Sequence, residues 1–117
     1  PLAVKLLYGG ITEELLMRWG VMTLLLWLGW RLLQRGHGQP GKGLVALAVL
    51  LSALLFALGH LPAAQALAGV LTMPVVAFVL VGNTVFGLVA GGLFARHGLE
   101  AAIIAHVLAH LLASPLL

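Results

Sequence analysis

The sequence has no cysteine, which excludes a disulfide framework, a thiolate nucleophile and a cysteine-based zinc site. Charge is nearly as scarce. Only 8% of the 117 residues are charged, six Lys or Arg against three Glu, and Asp is absent. A water-soluble domain carries about 25% charged residues, so this chain has too few to cover a surface facing water. Disorder is excluded from the other side, because 62% of the residues are hydrophobic and disorder needs low hydrophobicity. The pI near 10.3 rests on a few dispersed cations, which is too thin a balance for a nucleic-acid partner. What is present is apolar chain with a mean hydropathy of +1.17, and this composition points to an integral membrane protein. No charged n-region leads into a separate apolar segment and cleavage site, so no signal peptide is expected. The chain opens on Pro1 and reads as the excised core of a larger membrane protein.

The fold class expected is all-α, a polytopic transmembrane helix bundle forming a single domain over residues 1–117. From Gly43 to Ala95 there is no Lys, Arg, Asp or Glu, and a helix needs about 20 apolar residues to cross a bilayer. That run holds two spans, 43–60 and 73–96, separated at His60-Leu61-Pro62 and by a small-residue connection over 63–72. Upstream, 10–35 reads as another helix, closed by Arg31, Arg35 and the Gly-rich loop that follows. Downstream, 99–114 reads as a last helix after the break at Gly98. About four spans are therefore expected. Blocks of apolar residues rather than alternation argue against a β-barrel. Tyr8 and Trp30 bracket the first helix as interface anchors, about 33 Å apart. Lys5 lies at the Tyr8 end, whereas Arg31, Arg35, Lys42 and Arg96 gather at the Trp30 end, which the positive-inside rule assigns to the cytoplasm. Gly87 and Gly91 form a small-xxx-small pair suited to close helix packing.

Ionisable groups inside such helices are costly and usually functional. Glu13, Glu14 and Arg18 fall in the first span, His60 closes the second, and His106 and His110 lie in the last. Glu14 and Arg18 are four apart and share a face, which suits a structural ion pair. Glu13 points about 100° away from Glu14. With helices alternating in direction, Glu13, Glu14, His60 and His110 fall within about one helical turn of one another in depth, with His106 one turn deeper. Phe56 stands one turn before His60. His37 and His97 lie in polar loops and are expected to be solvated. Glu100 opens the last helix, where a carboxylate suits the positive end of the dipole. Asn83 is open between interhelical bonding and cavity lining.

The three groups have the patterns EExxxR (Glu13, Glu14, Arg18), FxxxH (Phe56, His60) and HxxxH (His106, His110). In that order they resemble the motifs of the CPBP family, the type II CAAX prenyl endopeptidases and their bacterial bacteriocin-processing relatives. The resemblance runs from residue 13 to 110. It implies an intramembrane endopeptidase with a peptide or prenylated-peptide substrate, set among membrane lipid, in a bacterial plasma (inner) membrane. Carried over, Glu13 and His60 would activate a water and His106 would stabilise the oxyanion. His110 stands where the prenyl proteases have Asn. Glu14, Arg18 and Phe56 would support the site.

Peptide hydrolysis needs an activated water, an oxyanion stabiliser and a proton donor to the leaving amine. These residues supply all three without a metal. A zinc version is open beside it, with His60, His106 and His110 as ligands and Glu13 as base. The alternative function is a non-catalytic membrane binding protein or bacteriocin self-immunity protein of the same fold. A third reading is a bis-His haem or proton-conducting bundle, in which EExxxR has no purpose.

Overall fold

The computed structural model describes residues 1–113. Among these, every regular element is helical. The first helix, α1, runs without interruption over residues 2–33. It is α-helical at Leu2–Val4 and Thr23–Leu33 and carries the wider π-type hydrogen bonding over Lys5–Glu13 and Leu15–Met22. Dihedrals at Val4, Glu14 and Thr23 stay α-helical, with φ between −68° and −64°. Spacings of four therefore still place side chains on one face. The remaining helices are α2 (Lys42–Gly59), α3 (Leu61–Ala68), α4 (Met73–His97) and α5 (Leu99–Ala113).

The helix starts and stops follow local chemistry. Arg35 at φ 54° and Gly36 at φ 72° turn the chain out of α1. The loop behind them is held by the Gln34 side chain, which donates to the carbonyls of His37 and Gln39 and accepts from the Gly41 amide. Trp30 Nε1 donates to the Gly38 carbonyl at 2.8 Å, so this ring is tied to the loop as well as suited to an interface. Thr72 caps α4 through the Val75 amide, and Gly98 at φ 94° separates α4 from α5.

Two boundaries differ from the sequence expectation. α1 starts eight residues before residue 10 and passes through Gly9 and Gly10. Residues 61–68 are helix rather than loose connection, because Pro62 falls in the first turn of α3, where its missing N–H costs nothing. The last expected residue of the final helix, 114, lies outside the described residues.

Consecutive long helices pack antiparallel. α1 lies against α2 with Gly29 on Leu44, Arg18 on Phe56 and Glu13 on His60. α2 lies against α4 with Val49 on Gly91 and Ala53 on Gly87, and α5 returns along α1 with His110 on Gly9 and Val107 on Gly10. Gly87, Gly91, Gly9 and Gly10 thus let two helix pairs, α2 with α4 and α1 with α5, approach closely, as membrane helices do through small residues. The molecule is only 17 Å across its thin dimension, so large apolar side chains such as Trp19, Leu67 and Phe78 face outward.

Two helical runs among the described residues are long and apolar enough to cross a membrane, Lys42–Ala68 and Met73–His97. Their most apolar stretches are only 28% and 11% buried. A core helix of a water-soluble protein hides most of its surface, so this exposure suits helices that face lipid.

A Cβ on Gly87 would lie 2.8 Å from Ala53 Cα and Cβ. Gly87→Leu is expected to destabilise the fold by about 1–3 kcal/mol through overpacking, read as a lowered thermal midpoint in detergent. Gly82→Leu, whose Cβ meets open space, is expected to cause no such loss.

Candidate active site

The middle of α1 presents two adjacent carboxylates to different neighbours, because successive residues on a helix diverge by about 100°. Glu14 faces α5. Its Oε1 accepts from His106 Nδ1 at 2.6 Å, and its Oε2 lies 3.2 Å from Arg18 Nε, with both side chains fully buried. Arg18 extends one turn along α1 and places its guanidinium over the Phe56 ring, 4.9 Å from the centroid. The ion pair expected from the spacing is present, and it is joined to a histidine 92 residues away.

Glu13 faces α2. Its Oε2 lies 3.6 Å from His60 Nε2, and this pair is open, with 21% and 32% of the side-chain surfaces accessible. His60 Nδ1 lies 2.7 Å from the Phe56 carbonyl oxygen. That oxygen only accepts, so Nδ1 carries a proton and donates it. In neutral His60 the Nε2 lone pair is then directed toward Glu13. The motif FxxxH therefore has a physical content: Phe56 fixes the His60 tautomer through its carbonyl. Its side chain meanwhile packs 4.5 Å from the His60 ring and 5.9 Å from the His106 ring.

His110 stacks on His106 with centroids 4.9 Å apart and planes 20° from parallel. Its Nε2 is buried without a hydrogen-bond partner among the described residues and points at Gly9. The structure thus brings Glu13 to His60 and Glu14 to Arg18 and His106, with Phe56 touching both clusters and His110 stacked on His106. Phe86 belongs to the same wall, 4.6 Å from His106 and 5.8 Å from Phe56. Phe86, Gly9 and Gly10 were not singled out as site residues in the sequence; a lone Phe or a Gly-Gly in apolar helix gives no signal beyond packing. Asn83 donates to the Val79 carbonyl of its own helix at 2.8 Å, bonding along α4 rather than across to a neighbour. His37, His97 and Glu100 are exposed.

A zinc held by His60, His106 and His110 would need their lone pairs to meet at one point. Near-parallel stacked imidazoles direct their in-plane lone pairs side by side rather than at one point. Among the described residues no three His, Asp or Glu side chains converge on a metal position.

Compared with known proteins, residues 1–112 match the family model described as type II CAAX prenyl endopeptidase Rce1-like. No curated protein and no solved structure matches the chain.

Removing one member of a buried ion pair strands the other charge, at about 3–5 kcal/mol. Arg18→Met alone is expected to destabilise the protein by that amount. Arg18→Met combined with Glu14→Gln leaves no buried charge and is expected to recover a substantial part of the loss, measured as a double-mutant cycle of denaturation in detergent.

Proposed function

Because this chain belongs to the type II CAAX prenyl endopeptidase Rce1-like family, an integral membrane protease family, we propose that it hydrolyses a peptide bond within the membrane through a water held by Glu13 and His60. The observation that carries this reading is the partly open Glu13–His60 pair. A carboxylate and an imidazole lone pair face each other there, both acceptors and both reachable from outside, so a water donating to them would join the pair.

The chemistry follows from those atoms. Glu13 takes a proton from the water as its oxygen attacks the scissile carbonyl carbon, and His60 Nε2 holds the second water proton. The carbonyl oxygen gains negative charge in the tetrahedral intermediate and needs positioned donors. His106 Nδ1 is committed to Glu14, so His106 donates to an oxyanion through Nε2 when that nitrogen also carries a proton. His110 Nε2 has no hydrogen-bond partner among the described residues and supplies a second donor once its ring turns off Gly9. The proton held by Glu13 then passes to the leaving amine nitrogen as the C–N bond breaks.

The two carboxylates have separate tasks in this scheme. Glu13 is accessible and works on water; Glu14 is sealed and holds His106. Four spans of a larger bundle, a prenylated-peptide substrate and a bacterial inner membrane complete the proposal. Support for the four spans comes from the antiparallel succession of α1, α2, α4 and α5.

Glu13→Gln keeps the shape and removes the base. It is expected to lower single-turnover cleavage of a farnesylated CAAX peptide by about 10²–10⁴-fold, with the thermal midpoint unchanged. Equal cleavage by wild type and variant would overturn the proposal.

A further inference from the structure

We infer that the end of the bundle opposite the carboxylate–histidine cluster holds an anionic diacyl phospholipid, its phosphate between Lys42 and Arg96 and its acyl chains in the two hollows beside Gly92. Lys42 opens α2 and Arg96 lies in the last turn of α4. Antiparallel packing of these helices brings the two cations to the same end, about 27 Å along α2 from His60. Both line a groove of about 700 Å³ whose other walls include Val45, Val49, Leu88 and Gly92. This is within the size range of ligand clefts, about 300–1,000 Å³. A second hollow of about 320 Å³ adjoins it and shares Leu88, Gly92 and Arg96.

Three observations select the occupant. Both cations are exposed, and neither makes an ion pair among the described residues. Glu13 and Glu14 lie at the far end of the fold, and Glu100 is not paired with either cation. An anion is therefore the complementary head group. The walls below the cations are apolar, which suits acyl chains and not a free phosphate. Two adjoining hollows meeting at Arg96 match a lipid with two chains better than a single helix. The positive-inside rule further assigns this end to the cytoplasmic leaflet, where anionic lipids gather and attract juxtamembrane cations.

Gly92 provides the test, because a Cβ built there meets no protein atom within 4 Å. Gly92→Leu fills the hollow without displacing the fold. Full-length protein would be titrated in detergent with phosphatidylglycerol or phosphatidylcholine of identical chains, and lipid adducts counted by native mass spectrometry. The wild type is expected to favour phosphatidylglycerol by about tenfold or more, since each cation near the surface contributes appreciably. The Lys42→Gln, Arg96→Gln double variant is expected to bind both lipids equally, and Gly92→Leu to lose both adducts. Soluble glycerol phosphate is expected to leave the adduct intact. Equal binding of both lipids by the wild type, an undiminished adduct with Gly92→Leu, or displacement by glycerol phosphate would each overturn the inference. The last would mark a free-phosphate site, and the first a groove covered by another apolar segment.

Discussion

A charged cluster sealed among apolar helices is the constraint on which the rest depends. Glu14, Arg18 and His106 are at most 4% exposed, and a buried charge is costly unless paired; the Arg18 guanidinium makes no hydrogen bond among the described residues and rests on its ion pair with Glu14 and on the Phe56 ring. Arg18 offsets the charge of Glu14 along one helix, and the 2.6 Å bond to His106 ties that helix to α5. These contacts hold α1 in one rotation about its axis. Glu13, the next residue on the chain, is turned by the same rotation toward α2 and His60. A structural requirement at Glu14 thereby aims the group that the proposed chemistry needs at Glu13.

The surrounding packing makes this arrangement reachable. The Gln34-braced loop sets the register of α1 on α2, opposing Gly29 to Leu44, Arg18 to Phe56 and Glu13 to His60. Gly9 and Gly10 let α5 come close enough for His106 to reach Glu14, at the expense of weak helix propensity early in α1. Gly87 and Gly91 do the same between α2 and α4. Phe56 joins the two clusters, with its carbonyl on His60 and its ring under Arg18 and beside His106. The fold separates a sealed pair from an open pair only one residue apart, and that difference in exposure underlies the division of labour proposed for the two carboxylates.

The apolar blocks, the break at His60 and the ends of α2 and α4 were legible from composition and from Gly and Pro. So was the Glu14–Arg18 pair, which follows from helix spacing within a single element. The motif patterns pointed to the family, and the match over residues 1–112 bears that out. The bond from Glu14 to His106 was not legible, because the rotation of one helix against another 92 residues away leaves no periodic trace. The first helix was expected to start at residue 10, and nothing in the sequence shows that Gly9 and Gly10 serve the approach of α5. Residues 61–68 read as connection because small residues and a Pro signal a turn, although that Pro sits where a helix accepts it.

The central claim is that Glu14 holds His106 through Nδ1 while Phe56 holds His60 through Nδ1, leaving His60 Nε2 for the water at Glu13. Nitrogen-15 NMR of ring-labelled histidines in the full-length protein in bilayers reads these protons directly. The account requires a strongly hydrogen-bonded proton on His106 Nδ1 that is altered by Glu14→Gln, together with a protonated Nδ1 on His60. A bare Nδ1 on His106, or a His106 signal indifferent to Glu14→Gln, would contradict it.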